Sequence, residues 1–180
     1  PTIVVHLAAL AGVRPSTENP IIYKLTNVLG TVNLLKAAIG NKVQKFIFGS
    51  SSSVYGNSKN VPFSEEDVCF SIISPYGASK KSAEEFVRVF NKTYGLKSVI
   101  LRFFTVYGPR SRPDMAPALF TKAILADNPI IKFGDGESSR DYTYIDDVIE
   151  GIVASINKNI KFEIINLGNS HPVSLNQFIS

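Results

Sequence analysis

The sequence is poor in several features that would fix a protein's class. It holds one cysteine, Cys69, which excludes an internal disulfide and a thiolate metal site; no metal is expected, and a reducing compartment fits. No apolar run approaches the roughly 20 residues a membrane-crossing helix needs. There is no internal repeat and no low-complexity linker. Charge is modest, at 19% of residues with a net +4. Its excess lies in residues 1–64, where six Lys/Arg face one acid, while residues 65–180 hold thirteen Lys/Arg and fourteen acids. Lys24, Lys36, Lys42 and Lys45 are spread along the chain with no aromatic residues interleaved. That is the pattern of a solvated face and not of a single-strand nucleic-acid surface. The expectation is a cytoplasmic protein with neither a nucleic-acid nor a membrane partner.

What is there is an ordinary globular composition of 180 residues, 44% of them hydrophobic, enough for a sizeable core. Residues 3–9 form an apolar run typical of a strand buried on both faces of a parallel sheet. Residues 21–39 carry helical periodicity closed by Gly40–Asn41. Phe46–Ile47–Phe48 is a second buried strand, followed by the serine run Ser50–Ser53, and 57–74 reads as a polar loop. A second amphipathic helix covers 76–94, and Val99–Phe103 is a third strand. Strand, helix, strand, helix, strand implies parallel pairing with right-handed crossovers. Beyond Gly108–Pro109 the pattern predicts a helix at 116–126, a strand at 130–133, turns at 134–139, a helix at 146–156 and a strand at 162–166.

Chemistry concentrates in Tyr76–Gly77–Ala78–Ser79–Lys80. On a helix a spacing of four puts Tyr76 and Lys80 on one face. An adjacent ammonium favours the phenolate, so such a tyrosine can act as a general base near neutral pH. A serine hydroxyl from a strand end could relay the proton. The trio suggests alcohol oxidation with a nicotinamide cofactor. Other conspicuous residues have plainer readings. His6, inside an apolar strand, reads as a satisfied core histidine, and Tyr55 and Tyr107 as packing or turn residues. Asp146 and Asp147 complement the dipole of the helix they open.

Seven blocks in order extend the pattern: HLAALAGVR (6–14), NVLGTVNLL (27–35), SSSSVYG (50–56), SPYGASK (74–80), RFFTVYGP (102–109), RDYTYIDDV (140–148) and NLG (166–168). Together they resemble the extended short-chain dehydrogenase/reductase superfamily, the NAD-dependent nucleotide-sugar epimerases and dehydratases. AGVR (11–14) and residues 102–116 are most similar to UDP-glucuronate 4-epimerases. The resemblance implies an α/β fold, a Rossmann-like doubly wound parallel sheet binding NAD. Residues 1–109 would be the later part of that domain, and 110–180 the start of a substrate-binding region interwoven with the sheet. It implies that Tyr76 takes the proton of the sugar 4-hydroxyl while hydride passes to NAD. The resulting 4-keto sugar turns over and is reduced on its other face. Lys80 would tune Tyr76 and bind the nicotinamide ribose, and Ser51 would relay the proton. Ala8, Ala9, Asn27 and Phe104 would line the cofactor with Tyr76 and Lys80. The UDP-sugar substrate would meet Ser51, Ser52, Ser53, Thr105, Arg112 near a uronate carboxylate, and Arg140 at the diphosphate. A guanidinium fork matches both anions. A homodimer through helices 21–39 and 76–94 is also implied.

The sequence departs from the family by lacking the Gly-rich pyrophosphate loop and its acidic ribose partner. It is therefore expected to be an internal fragment that, alone, binds NAD no more tightly than about 10 μM. Dehydratases and decarboxylases of the family carry acids where Ser52 and Ser53 stand, which ranks both below an epimerase. A UDP-glucose 4-epimerase, a reductase and a non-catalytic nucleotide-binding relative remain alternatives.

Overall fold

The computed structural model describes residues 1–132 and 134–180. Three apolar runs form the parallel strands β1 (Ile3–His6), β2 (Lys45–Ser51) and β3 (Lys97–Phe103). Ile3 pairs with Lys45, and Lys45 with Lys97. A further strand, β6 (Phe162–Leu167), lies beside β3, giving the order β1-β2-β3-β6. Every residue of β2 is buried, as expected of a strand flanked on both sides and covered on both faces. β1 is the edge of this sheet, so the burial on both faces expected of residues 3–9 is not found: Ile3 and Val5, with Leu7 just beyond the strand, are exposed.

The helical stretch after β1 has an interruption that periodicity does not reveal. A short α1 (Val13–Glu18) comes first, between the stretches read as strand and helix. Then α2 (Pro20–Tyr23) runs into a π-helical turn, Lys24–Leu29, before α3 (Gly30–Gly40). The second long helix, α4 (Pro75–Tyr94), has Ser74 as its N-cap, Pro75 in its first turn and a left-handed Gly95 at its end. Leu35 and Ala38 of α3, Ala83 and Val87 of α4, Phe46 and Phe48 of β2 and Ile100 of β3 form one buried core.

The described residues form two compact units, Pro1–Phe103 with Ile152–Asn166, and Phe104–Gly151 with Leu167–Ser180. The second holds β4 (Thr105–Tyr107), α5 (Ala116–Leu125), β5 (Ser139–Tyr144), β7 (Pro172–Ser174) and α7 (Leu175–Ile179). β4 pairs parallel with β5, and β5 antiparallel with β7. α6 (Ile145–Asn157) follows β5 directly and leads into β6. The strand expected at 130–133 is not formed at residues 130–132, and Phe133 lies outside the described residues. The strand instead comes later, at β5, beginning where turns were expected.

Candidate active site

The first turn of α4 carries the residues of greatest chemical interest. Ser74 Oγ accepts a hydrogen bond from Gly77 N at 3.0 Å, which fixes where the helix begins. Tyr76 stands in that turn, half-buried, with its ring edge-on to Tyr23 at 6.2 Å. Its backbone is held at both ends: the N–H donates to Ser16 Oγ at 3.1 Å, and the carbonyl accepts from Ser79 Oγ at 2.8 Å. A Cβ on Gly77 would lie 2.5 Å from the carbonyl oxygen of Ser53. Only glycine lets the turn that follows β2 pack this closely on the helix start. This contact sets the backbone of Ser53 against that of Gly77, the residue after Tyr76.

Lys80 lies one turn on, 4% exposed. Its Nζ donates to the carbonyl of Gly49 at 2.8 Å and stands 5.1 Å from the Phe48 ring. Burial pushes the ammonium down to about 8, while the charge of Glu84 opposes that fall. Ser51 closes β2, in register with Phe103, and its Oγ accepts from Ser53 N at 3.2 Å. Ser52 and Ser53 begin a short 3-10 turn and are half-buried.

Asn27 sits inside the π-helical turn, a device that re-aims side chains at functional sites. Its Oδ1 accepts from Leu10 N at 2.8 Å, and its Nδ2 donates to Leu10 O at 3.0 Å and Ser79 Oγ at 2.9 Å. The carboxamide thus ties the segment after β1, which bears the exposed Ala8 and half-buried Ala9, to the helix bearing Tyr76. Thr31 Oγ1 donates to the Asn27 carbonyl at 2.6 Å. Its one proton is spent there, so His6 Nε2, 3.0 Å away, is the donor of that pair. Burial first, and then the charge of Lys80, lower His6 to about 4. It is the satisfied core histidine that its strand position suggests.

Sequence reading missed a buried polar cluster. Arg102, on β3 and 0% exposed, forks onto Glu84 of α4, 1% exposed, through Nε at 3.0 Å and Nη2 at 2.9 Å. Ser50 Oγ donates to the same carboxylate at 2.6 Å. Arg102 Nη1 donates to the Tyr55 hydroxyl at 2.9 Å, which donates to Asn166 Oδ1 at 2.7 Å. Burial pulls the guanidinium pKa down, but the hydrogen bonds and charge of Glu84 more than reverse this. The available signal was an arginine inside an apolar strand, which must find a partner.

In the second unit, Phe104 packs against Gly168, where a Cβ would meet its ring at 3.1 Å. Thr105 opens β4 opposite Tyr142. Arg112 is exposed and its Nε donates to Asp114 Oδ1 at 3.0 Å. Arg140, on β5, donates to the Ser139 carbonyl at 2.8 Å. An open cleft of about 600 Å³ is lined by Tyr107, Gly108, Ser111, Pro117 and Thr121. Among the described residues no cluster of His, Cys, Asp and Glu could hold a metal, and no helix is long and apolar enough to cross a membrane.

Residues 1–168 match the NAD dependent epimerase/dehydratase family. The chain is 46% identical over 177 residues to a UDP-glucuronate 4-epimerase of Thermodesulfobacterium geofontis, covering 98% of this chain and 54% of that protein. Its structure superposes with a TM-score of 0.94 on a UDP-glucose 4-epimerase of Thermotoga maritima solved with UDP-glucose, at 38% identity, covering 99% of this chain and 59% of that one. With a UDP-glucuronic acid 4-epimerase of Bacillus cereus, solved with UDP-glucuronic acid and NAD, the TM-score is 0.91 at 43% identity, covering 99% and 57%. The chain therefore spans little more than half the length of these relatives.

Proposed function

Because the chain belongs to the NAD-dependent epimerase/dehydratase family, we propose that it carries the proton-handling half of a nucleotide-sugar 4-epimerase whose substrate is UDP-glucuronate. The observation that carries the reading is Lys80: a buried ammonium, one helical turn from Tyr76, fixed at Gly49 O and held near a pKa of about 8. It is charged at neutral pH and close enough in sequence register to favour the Tyr76 phenolate.

The donor set suits NAD. An ammonium has three donors, and Lys80 uses one on Gly49 O, leaving donors for ribose hydroxyls. Lys80, Tyr76, Ala8, Ala9 and Phe104 are the residues that would hold the cofactor, with Asn27 bracing the Ala8–Ala9 segment. When bound, NAD supplies reversible hydride acceptance at the sugar's C4. Tyr76 takes the 4-hydroxyl proton and later returns it. Lys80 keeps the phenolate accessible near neutral pH, and Ser51 passes the proton between sugar and phenol. Ser52, Ser53 and Thr105 line the sugar, Arg140 binds the diphosphate, and Arg112 meets the uronate carboxylate. Its pairing with Asp114 is consistent with a guanidinium suited to carboxylates. Ser52 and Ser53 offer no carboxylic acid to a leaving hydroxyl, which disfavours dehydration and decarboxylation. A neutral UDP-hexose is the second reading, favoured by the TM-score of 0.94 with the Thermotoga maritima enzyme.

Replacing Tyr76 by Phe in the protein made from its complete reading frame tests the assignment. Turnover is expected to fall about 10²–10⁴-fold, the range for losing a positioned general base, with KM for the nucleotide sugar little changed. Unchanged turnover would remove Tyr76 from the chemistry.

A further inference from the structure

The Glu84–Arg102 pair does more than fill a hole in the core. A fully buried ion pair contributes little net stability, because desolvating both charges costs about what their attraction returns, and apolar replacements are often as stable. What a bidentate fork supplies is direction. Here it joins the three elements that carry the site. Glu84 is on α4, four residues after Lys80 and so on the same helical face. Arg102 is on β3, directly before Phe103 and Phe104. Ser50, which also donates to Glu84, directly precedes Ser51 and is the register partner of Arg102 on β2. Sliding or turning α4 by a fraction of a residue would break both arms of the fork and the Ser50 bond together. The cluster also extends outward. The Tyr55 hydroxyl hands on to Asn166, whose Nδ2 donates to Phe63 O at 3.1 Å and whose N–H donates to Glu65 Oε1 at 2.8 Å. The loop after the serine turn is thus tied to the same arginine.

We propose that Glu84 and Arg102 are positioning residues, setting the register of α4 against the ends of β2 and β3 so that Tyr76, Lys80 and Ser51 face one substrate atom. The inference rests on Tyr76 and Lys80 being the proton-handling pair. A second effect follows from geometry and charge. Among the described residues, the ionisable groups that interact with Lys80 are His6 from β1 and Glu84 from its own helix, while β2 presents the Phe48 ring and the Gly49 carbonyl. Of these, Glu84 supplies the negative charge that opposes the effect of burial on Lys80.

The test compares four variants of the protein made from its complete reading frame. Glu84→Leu with Arg102→Met removes the fork and both charges but keeps an apolar core. It is expected to stay folded and lose about ten- to hundredfold in kcat, the scale of a small misplacement of reacting groups, with KM within about twofold. The alkaline limb of its kcat profile should move down by about one pH unit, the low end of what losing a nearby opposite charge does. Glu84→Gln should move the limb the same way. Arg102→Lys keeps Glu84 but not the fork, so it should lose kcat without moving the limb. A folded double variant with parental kcat and limb would overturn the proposal. If that variant does not fold, Arg102→Lys with parental kcat overturns it. Tyr76→Phe run alongside separates the two failures: if it keeps turnover, the underlying assignment falls; if it loses turnover while the others do not, only this inference falls.

Discussion

His6 and Lys80 are both held below their ordinary pKa values, in each case first by burial. For His6 the ordinary value is 6.5 and the folded value about 4. Between these pH values the unfolded chain binds more protons, so stability is full above about 6.5 and is lost as pH falls toward 4. The loss from this group between pH 7 and pH 5 is about 2 kcal/mol. Urea unfolding at the two pH values should show that loss in the parent and not in His6→Gln; equal losses would contradict it. Lys80 follows the same sign higher up: stability is lost as pH falls from 10.5 toward about 8, and the full cost of keeping its ammonium inside the fold applies below that. The burial of His6 was legible because it interrupts an apolar strand. Its partner Thr31, 25 residues away, was not, because periodicity says which face a residue occupies and not which side chain it meets. Glu84 and Arg102 escaped for the same reason, being 18 residues apart on a helix and a strand.

At the scale of elements, β1, β2, β3 and α4 were readable because apolar runs and caps coincide there. The π-helical turn at Lys24–Leu29 was not, since one extra residue barely disturbs a 3.6-residue pattern. β5, Ser139–Tyr144, is polar and short, and β4 and β7 hold three residues each. Strands that small are set by their partners more than by their own composition. One tie is illegible in principle, and it removes Lys45 from the solvated face that its spacing suggested. Lys45, on β2, is buried and caps the end of α6, its Nζ donating to the carbonyls of Ser155 at 3.0 Å and Ile156 at 2.7 Å. The outer faces of the helices lead to a further expectation. Ile21, Leu25 and Leu29, and Phe86 and Val89 on α4, are exposed apolar side chains, which supports the proposed homodimer through these helices. Sedimentation should give a dimer for the parent protein and a monomer for Leu25→Glu with Phe86→Glu. A parent that sediments as a monomer would rule that dimer out.

At the scale of the molecule, the chain is one sheet-based unit bearing Ser51, Tyr76 and Lys80, and a second unit bearing Phe104, Thr105, Arg112 and Arg140. The family was legible because ordered blocks of residues carry it, and the helix bearing Tyr76 and Lys80 was legible from its periodicity and caps. Under the proposed function the choice of sugar would rest on a few side chains such as Arg112, Ser52 and Ser53, too few to leave a pattern in the sequence. The most direct measurement incubates the protein made from its complete reading frame with NAD and UDP-glucuronate, then resolves the products by anion-exchange chromatography. UDP-galacturonate with no accumulation of NADH is the expected result. UDP-xylose, a 4-keto product, or no reaction with either UDP-glucuronate or UDP-glucose would contradict the assignment of a 4-epimerase.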